Sequence, residues 1–261
     1  MIESLHSPHV ARVKALIGSK GAKERREQGL FVAEGIQCAR EAIGSSRGPE
    51  IKNIYGTEQG LSKISDLDFN EIEVVEVSEP VLKAMADTVT PQGVISLCYM
   101  PERTISELKS DGRSLFIYLH EIQDPGNAGT ILRTADAMGI DAVITSKNSV
   151  DMFSPKVVRS TAGSLWNIPV YEGIDFADID AKFPQIQKLL LSSHASQSIL
   201  DVVLPGDCIA IFGNEARGVT ATDIGVSVTE VTIPMSGRAE SLNLSAAASI
   251  VMFTLSSKVA G

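Results

Sequence analysis

The second half of the chain is built from short, uninterrupted apolar runs, and each ends in a loop rich in Gly, Asn, Ser or Glu. Leu115–Leu119, Ala142–Thr145 and residues 189–191 and 209–212 are runs of this kind, and 231–233, which holds Thr232, reads as a further buried strand. A strand with one wet face alternates apolar and polar residues, whereas a strand covered on both faces does not. The pattern therefore constrains this half to a parallel sheet flanked by helices, an α/β fold. In such sheets the loops that follow the strands collect at one edge, where ligands bind.

Three of those loops stand out. The first, Asp124-Pro125-Gly126-Asn127-Ala128-Gly129, leads into a helix expected over about 128–138 with Asn127 as its N-cap. Arg133 then lies two turns in, flanked by Leu132 and Ala135. A guanidinium there either has a partner elsewhere or is a surface arginine whose stem lies on apolar surface. The second loop is 213–218. The third is 233–243, followed by a helix capped by Ser241 or Asn243. Ser245 to Ser249 are all small, so another backbone can approach, and Ile250, Val251, Phe253 and Leu255 supply bulk. Taken alone, that segment is either a C-terminal helix docking on a sheet or a ligand cradle.

Two nucleotide-site signatures are excluded. No two glycines stand two residues apart, so the glycine-rich dinucleotide turn is absent. Gly213 and Gly218 have P-loop spacing, but Val219 occupies the position of the phosphate-binding lysine and Glu215 would repel an anion.

The first hundred residues alternate short strands with helices, a small α/β layer domain. Ser7-Pro8 opens its first helix, and Val10, Val13, Leu16 and Ile17 recur at helical spacing. A polar stretch over 101–112 marks a linker, giving domains at 1–103 and 113–261. The chain has 261 residues, 44% of them apolar, so each domain can build a core. Its net charge of −9 excludes a protein that coats nucleic acid by charge alone. One local stretch is basic, however. Arg12, Lys23, Arg25 and Arg26 form either an ordinary solvated face or a contact for RNA phosphates, and the acidic remainder favours the second.

Cys38, Cys98 and Cys208 are far apart in apolar runs, as reduced core thiols are. His6 and His9 have no further ligands nearby, so no metal site is expected. The N-terminus does not read as a signal peptide and no apolar run reaches the ~20 residues of a membrane span. A soluble, cytoplasmic protein with no membrane partner is expected.

Taken together, the loops are recognisable. Asn127-x-Gly129-x-x-x-Arg133, Gly213-x-Glu215-x-x-Gly218, and Ile233-Pro234-Met235 followed by Ser241-Leu242-Asn243-x-Ser245 resemble the three motifs of the SpoU (TrmH) family. Its members are RNA ribose 2′-O-methyltransferases of the SPOUT superfamily. Phe31-Val32-Ala33-Glu34-Gly35 and Thr90-Pro91-Gln92-Gly93-Val94 are similar to the substrate-binding domain of many members, an L30e-like fold. Ala216 departs from the pattern, since many relatives have glycine there.

The resemblance implies a C-terminal SPOUT domain with a trefoil knot, an exception to the rule against threaded loops. It implies a homodimer and S-adenosylmethionine as methyl donor. Gly213, Ile233, Leu242, Leu191, Ser192 and Met235 are the implied donor-binding residues. Arg133 is the implied base or positioning group for the ribose hydroxyl, with Asn127, Glu215, Ser241 and Asn243 orienting it. Freeing any arginine of its proton at neutral pH costs roughly 8 kcal/mol, so positioning is a serious alternative. The extra N-terminal domain points to rRNA rather than tRNA. Self-protection against a ribosome-targeting antibiotic and a non-catalytic RNA-binding role on the same fold are the competing readings.

Overall fold

The computed structural model describes residues 1–259. In chain order it begins with α1 (Pro8–Ile17), α2 (Gly21–Gln28), β1 (Leu30–Glu34), α3 (Ile36–Gly44) and β2 (Ile51–Gly56). Next come α4 (Glu58–Ser62), β3 (Glu73–Glu76), α5 (Glu79–Met85) and β4 (Val94–Tyr99). The middle holds β5 (Leu115–Leu119), α6 (Pro125–Ala137), β6 (Ala142–Thr145), α7 (Pro155–Ser160) and β7 (Val170–Tyr171). The chain closes with α8 (Phe176–Lys182), β8 (Gln187–Leu191), β9 (Cys208–Phe212), α9 (Ala221–Ile224), β10 (Thr229–Val231) and α10 (Leu244–Val259).

Two compact units result. One is Met1–Glu102 with Asp151–Asn167; the other is Arg103–Val150 with the chain from Ile168 onward. The first break falls at the start of the polar 101–112 stretch. Asp151–Asn167, inside the segment 113–261, packs with the first unit because its aromatic residues are anchored there. Phe31 meets Phe153 at 5.1 Å and Trp166 at 6.1 Å between ring centroids. The Trp166 indole N–H also donates to the Pro49 carbonyl at 3.0 Å, which satisfies its polar edge.

In the first unit the sheet order is β1-β4-β2-β3, with β2 and β3 parallel and the other pairs antiparallel. Ser7 caps α1 by accepting from the His9 N–H, Pro8 occupies its first turn, and Val10, Val13 and Leu16 are buried. The basic stretch is not one helix. It breaks after Gly18 and resumes as α2, which ends at Gly29 in a left-handed conformation.

That break corrects one expectation. Arg25, expected among the RNA contacts, is only 4% exposed. Its Nε and Nη2 donate to the Asp151 carboxylate at 3.0 and 2.6 Å, and its Nη1 donates to the Leu16 carbonyl. A buried guanidinium needs this saturation, and it then has nothing left to offer RNA. Arg12, Lys23 and Arg26 are exposed. Lys23 pairs with Glu27 at 3.5 Å, and Arg12 and Arg26 have no ion pair among the described residues.

The second unit has a six-stranded sheet in the order β10-β8-β9-β5-β6-β7, with every neighbouring pair parallel. β5, β6 and β9 are buried along their whole length, as their uninterrupted apolar sequences require. α10 packs on α6, where Thr134 and Ser249 hydroxyls lie 3.3 Å apart and Ala247 and Ala248 are buried. Cys38, Cys98 and Cys208 are buried free thiols, and burial pushes Cys38 up to about 11. Among the described residues no helix is long and apolar enough to cross a membrane.

Removing one member of a buried ion pair strands the other charge and costs about 3–5 kcal/mol. Arg25→Ala is therefore expected to lower the urea-unfolding free energy by about 3 kcal/mol, and Arg26→Ala by less than about 0.5. Small, equal losses would return Arg25 to the surface.

Candidate active site

Because the strands of the second unit are parallel, the loops after β5, β8, β9 and β10 open at one edge of the sheet. The loop after β5 enters α6 through Asp124, whose carboxylate accepts from the Asn127 N–H at 2.7 Å, with Pro125 in the first turn. Asp124 is thus the N-cap. Asn127, expected in that role, sits inside the first turn, which releases its side-chain amide for other bonds.

Glu215, on the loop after β9, uses that amide. Its carboxylate accepts from the Gln123 N–H at 3.1 Å, the Asp124 N–H at 3.0 Å and Asn127 Nδ2 at 3.2 Å. A carboxylate only accepts, so Asn127 must present its NH₂ to Glu215 and keep Oδ1 free. Asn243 Nδ2 donates to that Oδ1 at 3.1 Å. Asn243 Oδ1 in turn accepts from the Ser245 N–H at 2.9 Å and the Ala246 N–H at 3.3 Å, capping α10. One relay therefore ties the loops after β5, β9 and β10. Desolvation pulls the Glu215 carboxyl upward, but the N–H donors of Asp124, Gln123 and Asn127 outweigh it and hold it below its ordinary value.

The loop after β9 closes on itself. Asn214 and Gly218 exchange backbone hydrogen bonds of 3.2 and 2.8 Å. A Cβ on Gly213 would stand 2.3 Å from the Gly218 carbonyl carbon, so no larger residue fits there. Asn214 Nδ2 donates to the Glu121 carbonyl at 2.9 Å, fastening this loop to the one after β5 a second time.

The remaining expected residues are placed as follows. Arg133 is exposed on α6, without a hydrogen-bond or ion-pair partner among the described residues and outside the relay. Ser241 is exposed and likewise has no hydrogen bond among the described residues. Leu191 pairs with Val231, and the Ser192 N–H donates to the Val231 carbonyl at 2.9 Å, which sets Leu191 and Ser192 beside the strand leading to Ile233. Met235 and Leu242 are exposed apolar side chains. Among the described residues, 233–242 form no backbone–backbone hydrogen bond. Free backbone N–H and carbonyl groups beside Ile233, Met235 and Leu242 fit the polar edge and apolar faces of a purine, as an adenosyl group requires. No group of His, Cys, Asp and Glu among the described residues could hold a metal ion.

Asp124 and Asn214 were missed by the sequence reading. Asp124-Pro125 carries the same capping signature as Ser7-Pro8. Asn214 carries no local signal, because its bond to Glu121 spans 93 residues.

Residues 114–253 match the SpoU rRNA Methylase family, and residues 9–96 match the MRM3-like substrate binding domain. The chain is 31% identical over 234 residues to the 23S rRNA (guanosine(2553)-2′-O)-methyltransferase RlmP of Bacillus subtilis, covering 89% of this chain and 91% of that one. It is 25% identical over 251 residues to a 23S rRNA (uridine(2479)-2′-O)-methyltransferase of Streptomyces viridochromogenes, covering 92% and 86%. The crystal structure of an AdoMet-bound rRNA methyltransferase from Sinorhizobium meliloti aligns with a TM-score of 0.83 at 26% identity, over 97% and 96% of the two chains. With its parallel sheet and three interlocked strand-end loops, the chain belongs to the SpoU rRNA Methylase family.

The Glu215 carboxylate is expected to contribute stability that is fully present above the ordinary glutamate value of 4.5 and lost as pH falls through its lowered folded value. As pH falls below 4.5 the wild-type protein should lose stability more steeply than Glu215→Gln. Identical pH profiles in urea melts would exclude Glu215 as the group holding these loops.

Proposed function

We propose that the protein is a cytoplasmic, S-adenosylmethionine-dependent RNA ribose 2′-O-methyltransferase acting on ribosomal RNA. The observation that carries this reading is the Glu215–Asn127–Asn243 relay, which fixes three strand-end loops around one edge of the sheet in a chain of this family. Support for the substrate comes from relatives named for 23S rRNA, and support for the donor from the AdoMet-bound neighbour. Those relatives are named for guanosine and for uridine, so the reading assigns the ribose and leaves the base open.

Gly213, Ile233, Leu242, Leu191, Ser192 and Met235 hold the donor, which supplies an electrophilic methyl group on a sulfonium. Arg133 receives the ribose end of the RNA. Its planar guanidinium positions the 2′-hydroxyl, or holds its proton, while Asn127, Glu215, Ser241 and Asn243 keep the surrounding loops in register. Residues 1–103 form the RNA substrate-binding domain, with Arg12, Lys23 and Arg26 toward phosphate and Arg25 excluded. Residues 113–261, apart from the 151–167 segment that packs with the first unit, form the methyltransferase domain, and its C-terminal segment threads into a trefoil knot.

A homodimer belongs to the same reading. Ile250 and Phe253 stand three residues apart on one face of α10, 40% and 63% exposed. Water is a poor neighbour for that face, and a second copy covers it. Ile250→Asp with Phe253→Asp is expected to give a monomer by light scattering; an unchanged particle mass would place the interface elsewhere.

Calorimetry with S-adenosylmethionine should show binding, and rRNA from cells lacking the gene should accept methyl groups. Arg133→Lys should keep donor affinity within about twofold and lose roughly 100-fold in turnover, because a point charge cannot replace the guanidinium fork. Near-wild-type turnover would remove Arg133 from the chemistry. Absence of donor binding would overturn the whole reading.

A further inference from the structure

We propose that Arg217 captures a phosphate of the RNA substrate and is stored on Glu121 until RNA displaces that carboxylate; this rests on the methyltransferase reading above. Arg217 lies on the same loop as Gly213 and Glu215, and its guanidinium pairs with the Glu121 carboxylate. The arginine side chain is 65% exposed and the glutamate 22%, so the pair sits on the rim with its cation outward. Asn214 Oδ1 accepts from the Ala216 N–H at 2.9 Å and the Arg217 N–H at 3.3 Å, which fixes where the arginine leaves the loop.

The Glu121 side of the pair is built at a cost. Its φ is +51°, a left-handed conformation that non-glycine residues rarely adopt. Surrounding bonds enforce it. The Glu121 N–H donates to Ser146 Oγ at 2.7 Å, and its carbonyl accepts from Asn214 Nδ2 at 2.9 Å and Gln123 Nε2 at 3.1 Å. An exposed ion pair returns no more stability than such a backbone gives up, so stability does not explain the arrangement. Asp223, whose carboxyl is held down first by Thr220 and only last by Arg217, is occupied by the Thr220 N–H and hydroxyl, each at 2.8 Å. Glu121 is therefore the one bonded acidic partner of Arg217 among the described residues.

A phosphodiester offers the guanidinium the same two-oxygen face as a carboxylate. Exchange between them keeps Arg217 paired, and RNA gains further from the counterions it sheds. Glu121 then acts as a discriminator. A ligand must out-compete it, which a polyanion does more readily than a single small anion.

The test uses full-length protein, a fluorescein-labelled 20-nucleotide single-stranded RNA for binding, and rRNA from cells lacking the gene for turnover. Glu121→Gln should tighten RNA binding and lower the KM for rRNA by about threefold or more, since the competitor is gone. Arg217→Gln should weaken RNA binding by about threefold and make the dependence of log K on log salt shallower by about 0.7. The double variant should follow Arg217→Gln, and donor affinity should stay unchanged in all three. Glu121→Gly, which suits the left-handed backbone, gives the same readout if the glutamine variant folds poorly. RNA affinity that is unchanged or weaker without the Glu121 carboxylate, or an unchanged salt slope without Arg217, overturns the proposal while wild-type methylation persists. A wild-type protein that binds neither donor nor RNA overturns the methyltransferase reading with it.

Discussion

The Glu215 carboxylate is the group on which the geometry of this sheet edge depends. Parallel pairing sets β5 and β9 side by side, about 4.8 Å apart, so the loops after them must meet. Meeting is not order, and loops of Gly, Asn and Asp have many conformations to choose from. Glu215 removes the choice by accepting from two consecutive backbone N–H groups and one side-chain amide of the neighbouring loop. The consequences propagate by valence alone. Asn127 must turn its NH₂ toward the carboxylate, Asn243 must donate to what remains, and Asn243 Oδ1 is then aimed at the first turn of α10. A group-transfer site needs this kind of arrangement, in which no loop has to be organised at the moment of reaction.

The loop from Gly213 to Gly218 shows how spacing and chemistry separate. Its glycines stand as in a P-loop, yet Glu215 and Val219 argue against a nucleotide phosphate cradled by its backbone. In the structure the glycine at 213 serves a close approach to the Gly218 carbonyl, and the glutamate spends its charge on N–H donors rather than facing a ligand. The exclusion made from sequence and the role found in the fold have the same cause, a negative charge that must be solvated, here by the N–H donors of the neighbouring loop.

What was legible in the sequence was what local physics enforces. β5, β6 and β9 carry no polar alternation and are buried throughout; Ser7-Pro8 and Asn243 cap the helices that follow them. What was not legible depends on partners far away in the chain. Arg25 looks like its neighbour Arg26 until Asp151, 126 residues later, draws it inside. Phe153 and Trp166 read as part of the second half, but their ring partner Phe31 lies in the first. Asn127 reads as a cap because Asn and Asp are nearly equal in that role, and only the bond its amide donates to Glu215 explains why Asp124 takes it. The site was therefore readable as a set of residue types in three loops, and unreadable as a network.

The acidity of the chain, −9 overall, looks adverse for a protein that handles RNA. The resolution lies in where the carboxylates spend their charge. At the open edge of the second unit Asp124 is turned onto the Asn127 N–H, Glu215 onto three donors, Asp223 onto Thr220 and Glu121 onto Arg217. Each acid faces protein dipoles or a cation, so little of its field reaches an incoming anion. Arg133 in that unit, and Arg12 and Arg26 in the other, remain exposed without ion-pair partners among the described residues. Net charge governs solubility and long-range steering, whereas the field at a site is set by which charges are left unanswered. At this edge Arg133 is among the charges left unanswered.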